Sequence, residues 1–307
     1  MTTLAPPAVR VPETSRTTGG RGGSVTWMAL PAFLMFFAFG IIPLVGVLFL
    51  SFTTFDIIGT VVPSGLTSWK AALTDPGLMN SLWVTFLIMA LSWLFQTPVS
   101  ILLGVFLAAR FRYRGFLAVF FFIPLMISAA AISITFKALL DPSFGLGNGL
   151  HIDALNQDWL GKSNLAIGVL IFIVSWQWIP FHTLIYQGAV RQIPTSMYEA
   201  SQIDGAGRLR QFFSITLPQL KYTIITSSTL MVVGSLTFFD LIYVLTGGGP
   251  GDATNALALQ MYRLGFQSNL MGPASAIAVI LVLVGLSLSL LLRRLGGRAD
   301  ESQLEGA

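Results

Sequence analysis

The chain has 307 residues, 54% of them hydrophobic and only 10% charged, where ordinary soluble domains carry about 25% charged residues. This composition excludes a soluble globular domain and implies an integral membrane protein whose solvent is lipid. The net charge of +4 forms no basic patch away from membrane flanks, which argues against a nucleic-acid partner, while the absence of cysteine and the wide separation of His151 and His182 leave no disulfide framework and no metal site.

In chain order, residues 1–24 are polar, rich in Thr, Pro and Gly, and read as a disordered cytoplasmic tail. The apolar run from Trp27 to Leu50 is too long for the core of a cleaved signal, which is about 7–15 residues. A spanning helix needs about 20 apolar residues, and six segments qualify: roughly 27–50, 82–109, 116–136, 165–190, 222–245 and 273–292. Alternating polarity, the mark of a membrane barrel strand, is absent from them. The expected fold is therefore an all-α polytopic membrane protein, a six-helix domain over 25–296 with a second cytoplasmic tail over 297–307. Pro43, Pro98, Pro124 and Pro180 fall inside these helices, where each frees a backbone carbonyl and favours a kink.

Orientation follows from Lys and Arg in short loops. Thirteen of the seventeen basic residues fall on one side: Arg10, Arg16 and Arg21; Arg110, Arg112 and Arg114; Arg191, Arg208, Arg210 and Lys221; Arg293, Arg294 and Arg298. Lys70, Lys137, Lys162 and Arg263 fall on the other, with Asp56, Asp75, Asp141, Asp153, Asp158 and Asp252 in the same segments. Both termini and the loop over about 191–220 are expected to be cytoplasmic.

That loop carries the most information. Pro194 interrupts the fourth helix, and Ser196 with Glu199 has the spacing of a capping box. A short helix over about 197–204 would follow, with Gly205 suited to its C-terminal turn. Ala200, Ser201 and Gly205 are small, a composition that lets another backbone approach. A second helix from about 208 would offer Leu209, Phe212, Phe213 and Ile215 for apolar packing. On local chemistry alone the segment is either a capped re-entry loop or a docking surface.

The spacing of this loop resembles the conserved loop of binding-protein-dependent ABC importer permeases: Glu-Ala-Ala, three residues, Gly, nine residues, Ile, one residue, Leu-Pro. Here Glu199, Ala200, Gly205, Ile215, Leu217 and Pro218 fit, and only Ser201 departs, standing where the pattern has Ala. A second stretch, Phe239-Asp240-Leu241-Ile242-Tyr243-Val244-Leu245-Thr246-Gly247-Gly248-Gly249-Pro250, resembles the end of the fifth helix in the first permease subunit of the sugar-importing branch. Together the resemblances cover nearly the whole chain, in the minimal six-helix form.

The resemblance implies a transport subunit of a bacterial cell membrane rather than an enzyme. Its partners would be a second homologous permease, two ATP-binding subunits that hold ATP and Mg, an extracytoplasmic solute-binding protein and the membrane lipid. Glu199, Ala200, Ser201, Asp204 and Gly205, with Ile215, Leu217 and Pro218, would dock the ATPase. This chain would bind no cofactor itself. Gly161-Lys162-Ser163 is not a phosphate loop, because Asn156 stands where the earlier Gly is needed.

A substrate site is expected near the membrane midplane. Counted from Leu165 at about 1.5 Å per residue, Trp176 and Gln177 are about 17–18 Å deep. They either present a ring face and amide to a sugar or face lipid and neighbouring helices. Ser235 lies about 20 Å along the fifth helix and Asp240 about 27 Å, near the outer interface, with Tyr243 beyond. Gln96 and Thr97 form a further buried polar pair, and His182 reads as a packing or interfacial residue. Gly247, Gly248, Gly249 and Pro250 form either a simple turn or a contact for the solute-binding protein. The competing function is an ion-driven secondary transporter, for which Asp240 is the one available coupling acid and no repeat is visible.

Overall fold

The computed structural model describes residues 23–55, 59–109 and 112–296. The expected tail 1–24, as far as residue 22, lies outside them, as do the tail 297–307, Asp56 and Arg110. The chain divides into two compact units, residues 1–46 and 47–307.

The first unit holds α1 (Gly23–Phe36), a π-helical turn Phe37–Ile41 and the start of α2 (Ile42–Leu50). Trp27, Phe33, Phe36 and Phe39 are all exposed. A helix apolar on every side is at home in lipid, not water. The π turn precedes Pro43, and Ile42 N donates to Phe37 O.

The second unit opens with a two-residue hairpin, β1 (Thr53–Thr54) and β2 (Val62–Pro63), paired antiparallel. Then come α3 (Thr67–Leu73), α4 (Pro76–Ala108), α5 (Arg114–Met126), α6 (Ala129–Leu139) and α7 (Leu146–Gly149). The long α8 (Ser163–Gln192) leads into α9 (Thr195–Ile203), α10 (Arg208–Gln211) and α11 (Leu217–Gln219). The chain finishes with α12 (Lys221–Leu236), α13 (Asp240–Leu245), α14 (Leu257–Tyr262) and α15 (Met271–Gly296).

Among the described residues, four helices are long and apolar enough to cross a membrane: Trp27–Leu50, Pro76–Ala108, Ser163–Gln192 and Met271–Arg294. A fifth span is formed only if the bent pair α5–α6 is taken as one. The expected straight helix over 116–136 is instead folded by 95° between Met126 and Ala129. Pro124 cannot donate within α5, Ile127 is extended (φ −93°, ψ 137°), and the Ser128 hydroxyl accepts from Ala131 N to start α6 afresh. The expected helix over 222–245 is also broken. Its α12 part has 16 residues, about 24 Å of rise, less than the roughly 30 Å of a bilayer core. The Thr237 hydroxyl bonds Gly234 O, the helix ends there, and α13 restarts at Asp240. The straight-helix depth assigned to Asp240 therefore does not apply. Pro98 and Pro180, by contrast, sit inside continuous helices.

The core lies where α4 and α8 pack against α6 and α13. Val84 and Ile88 meet Ile173, Val174, Ile132, Leu241 and Leu245 there. Small residues line the crossings: Ser81, Ser100, Ser133, Ala166 and Ser175 are all buried. In lipid, apolar burial gives no net drive between helices, so close van der Waals packing of small residues has to hold them. Polar cross-links add to it. The Ser133 hydroxyl reaches Leu241 O, Thr85 accepts from Leu257 N, and Asp75 both caps α4 through Gly77 N and accepts from Gln260.

Gly104 marks a close approach of α4 to α8: a Cβ there would lie 2.7 Å from the Tyr186 Cβ and 3.1 Å from Gln187 N. Gly104→Leu is expected to force the two helices apart at a cost of about 1–3 kcal/mol. The variant should melt at a lower temperature in detergent, and an unchanged melting temperature would show that α4 and α8 are not in contact there.

Candidate functional site

The arginine-rich end of the second unit is built around α9. After α8, Ile193 and Pro194 are extended (ψ 123° and 130°), because the residue before a proline is excluded from the helical region and proline has no amide to continue the ladder. The chain re-enters helix at Thr195 with Pro194 at the N-cap. The expected capping box is not formed: Ser196 lies inside the first turn, and no side chain caps the helix. The C-terminus fits expectation. Gly205 adopts φ +75°, Gly205 N donates to Gln202 O at 3.0 Å, and Ala206 N donates to Ser201 O at 2.9 Å. These two bonds define a Schellman motif, in which the left-handed residue is best supplied by glycine.

Ser201 has a structural role that its place in the pattern did not reveal. Its hydroxyl donates to Tyr198 O and accepts from Gln211 Nε2 at 2.9 Å. Gln211 is buried and also reaches Tyr198 O, while the Tyr198 hydroxyl bonds that of Thr216 at 2.9 Å. Four side chains, Tyr198, Ser201, Gln211 and Thr216, thus tie α9 to the end of α10 and to the returning segment, a π turn over Phe212–Thr216 followed by Leu217 and Pro218. Leu217 and Phe212 pack on the Ile101, Tyr186 and Leu220 cluster, Ile215 is half-buried and Pro218 exposed.

With its inner side fixed in this way, α9 presents Glu199, Ala200, Asp204 and Gly205 to the outside. Three large apolar side chains stand beside them: Ile203 is 88% exposed, Leu209 77% and Phe213 62%. Leu209 and Phe213, read from the sequence as available for apolar packing, are left uncovered within this chain. Ile203 was not anticipated at all, although an isoleucine on a polar helix was the visible signal. Exposed apolar groups rimmed by polar ones mark interaction surfaces.

A second feature lies between α4, α8, α12 and α13. It is a cavity of about 220 Å³ whose polar lining includes Ser92, Gln96, Gln177, His182, Ser235 and Asp240. Of the two expected residues on α8, Gln177 lines it and Trp176 does not. Trp176 turns outward, edge-on to Phe136 at 5.6 Å, and Trp178 faces the cavity in its place. Gln177 Nε2 donates to Ile127 O in the α5–α6 bend. Its Oε1 and the Ser92 hydroxyl are buried without a partner among the described residues. A buried polar atom without a partner costs about 1–3 kcal/mol. His182 packs as expected, its Nδ1 2.9 Å from the Ser227 hydroxyl, but it also reaches the cavity wall. Gln96 and Thr97 are both buried.

Asp240 is exposed on the first turn of α13. Tyr243 stacks on Phe239 at 5.3 Å and meets Tyr262 edge-on at the same distance. Beyond it, Gly247 and Gly248 take φ values of +60° and +94°. Arg263 closes this turn by donating to Gly247 O and pairing with Asp252, both at 2.6 Å, and the Thr254 hydroxyl donates to Gly249 O. The geometry is that of a turn pinned to its neighbours, with Gly249 and Pro250 half-exposed.

The Gln211 amide is the pivot of the α9 attachment. Gln211→Ala is expected to remove about 1 kcal/mol of local stability and to raise amide exchange over residues 195–206 about fivefold, without changing membrane insertion. Exchange at the wild-type rate would show that the Ser201 contact does not hold α9 in place.

Comparison with known proteins bears on this arrangement. Residues 96–301 match the family described as binding-protein-dependent transport system inner membrane component. The probable ABC transporter permease protein YurN of Bacillus subtilis is 32% identical over 276 residues, covering 87% of this chain and 94% of that protein. The trehalose/maltose transport system permease protein MalF of Thermococcus litoralis is 31% identical over 280 residues, covering 88% and 92%. Among solved structures, a chain of a bacterial alginate ABC transporter, in complex with an alginate pentasaccharide-bound periplasmic protein, superposes with a TM-score of 0.78. It is 22% identical and covers 90% of this chain and 95% of its own, so it supports the fold. With the short loop helix, the broken fifth helix and a family match over most of its length, the chain belongs to the binding-protein-dependent transport system inner membrane components, the permeases of ABC transporters.

Proposed function

We propose that this chain is a transmembrane subunit of an ATP-driven importer for a sugar or related polyol in a bacterial cell membrane. The observation that carries the reading is α9. It is held from behind by Ser201, Gln211 and Tyr198, closed by Gly205, and free in front, with Ile203, Leu209 and Phe213 exposed beside Glu199, Ala200 and Asp204. Such a helix suits a groove on an ATP-hydrolysing subunit. The arginine-rich end is then cytoplasmic, with both termini on that side.

Closure of two ATPase subunits, which hold the ATP and Mg, would push on α9 as a rigid body. The push passes through Tyr198, Thr216 and Leu217 into α12 and the cavity above it. Ile215 and Pro218 shape the return path. The cavity lined by Gln177, Trp178, Ser235 and Asp240 is the substrate path in this reading. An indole face and several amide and hydroxyl groups match the apolar faces and hydroxyl rims of a sugar ring. The sugar assignment is supported by the Thermococcus litoralis relative, named as a trehalose/maltose permease, and by the resemblance over Phe239–Pro250. A second permease of the same family would complete the path. The Gly247–Pro250 turn would meet the solute-binding protein.

Expression with its genomic neighbours, purification in mild detergent and measurement of stoichiometry and ATPase activity test the reading. Recovery of one further permease and two ATPase copies, stimulated by a sugar-loaded binding protein, is the expected result. Recovery of the chain alone, with uptake that collapses with an ionophore, would favour the secondary transporter instead. Gly205→Val adds a β-branched side chain where φ is +75° and should lose the ATPase subunits and uptake while still inserting. Normal uptake in that variant would sink the docking assignment. In the cavity, Trp178→Ala should cut uptake about two- to tenfold, since a ring contact is worth about 0.5–1.5 kcal/mol. Trp176→Ala should leave uptake near the wild-type level, and equal losses would remove the cavity from the path.

A further inference from the structure

A larger cavity, about 670 Å³, opens at the arginine-rich end between the ends of α4 and α8 and the α9–α10 loop. Its walls combine two kinds of group. Val105, Val190 and Phe212 form an apolar floor, and Arg191 and Arg208, both exposed to solvent, stand at its edge. No carboxylate is among its lining residues. Arg191 makes a single long contact, to Leu107 O at 3.5 Å, and Arg208 makes no side-chain hydrogen bond or ion pair among the described residues.

Two cations sharing one cavity without an anion repel each other, and most of their ten N–H donors remain free. A phosphate would relieve both problems, since guanidinium groups match its oxygens in bidentate geometry. The floor narrows the choice. α4 and α8 are both long and apolar enough to cross a membrane, and the cavity lies at their last turns, the level at which a spanning helix meets lipid headgroups. A free phosphate has no use for Val105, Val190 and Phe212, whereas a phospholipid places its phosphate on the arginines and the start of an acyl chain on the apolar side.

We propose that this cavity is a binding site for one anionic phospholipid. The lipid would lie behind α9 and fill the space between the loop and the bundle. Its affinity for the cavity would then depend on the position of α9, so that lipid composition and loop position are linked. Basic pockets between transmembrane helices are a recurrent form of anionic headgroup recognition.

The test uses the full-length chain in detergent, exchanged against micelles containing phosphatidylglycerol and phosphatidylcholine with identical acyl chains, and read by native mass spectrometry. One phosphatidylglycerol should be retained in preference to phosphatidylcholine. Arg208→Gln should lower that retention about fivefold, the weight of one basic group at a membrane surface. Equal retention of the two lipids, or unchanged phosphatidylglycerol binding in Arg208→Gln, would overturn the proposal. Inorganic phosphate should not displace the lipid, and complete displacement would assign the cavity to a bare anion instead. On the unmodified chain, 1 M salt should weaken phosphatidylglycerol retention and spare phosphatidylcholine, because screening at that ionic strength acts within about 3 Å. Salt-insensitive retention would count equally against an electrostatic site. None of these outcomes depends on transport or on ATPase partners, so they stand or fall apart from the importer reading.

Discussion

The close crossing of α4 and α8 at Gly104 is the contact on which the second unit depends. Both cavities draw their walls from these two helices. At one level α4 supplies Ser92 and Gln96 opposite Gln177 and His182 of α8. About two to four turns further on, Val105 and Ala108 face Val190 and Arg191. With only a hydrogen at the Gly104 Cα, the helix backbones come close enough for Gln187 Nε2 to reach Leu107 O at 2.8 Å. A rigid pair of this kind can carry a displacement from the loop end to the inner cavity, because packed helices slide or rotate as bodies rather than deform.

Where the helices break, the breaks serve the inner cavity. The α5–α6 bend exposes Ile127 O, and Gln177 takes it up. The α12–α13 break brings Phe238, Phe239 and Asp240 to the cavity wall. Irregular backbone inside a membrane is tolerated only where protein or an internal cavity satisfies its polar groups. Pro98 and Pro180 leave α4 and α8 continuous, and across this helix pair the Ser100 hydroxyl donates to Ile179 O, next to Pro180.

Charge contributes little to holding the bundle. Among the described residues the one ion pair is Arg263–Asp252, beside the Gly247–Pro250 turn, with Arg263 half-buried and Asp252 exposed. Exposed ion pairs contribute about 0–1 kcal/mol, so this one fixes the Gly247–Gly248 turn more than it stabilises the fold. The broad exposure of Phe, Leu and Trp on α1, α4, α5 and α15 is the surface expected of a chain solvated by lipid, and it directs the search for partners to the few places where polar and apolar groups mix.

The sequence by itself determined the membrane class, because twenty-residue apolar runs have no other stable environment. It also determined the loop, because proline, a short polar helix and a left-handed glycine act through neighbours in the chain. Long-range packing decided the rest. Segments 116–136 and 222–245 read as plain spans, since hydropathy records the length of an apolar run and not whether its helix continues through it. Depth counted along the helix singled out Trp176 with Gln177, and only the rotation of α8 against α4 and α6 put Trp178 at the cavity in place of Trp176. Ser201 read as a small substitute for alanine, and only the return of Gln211 to its side showed that its hydroxyl is used. Rotation about a helix axis is set by contacts between segments distant in sequence, and no local rule contains that information.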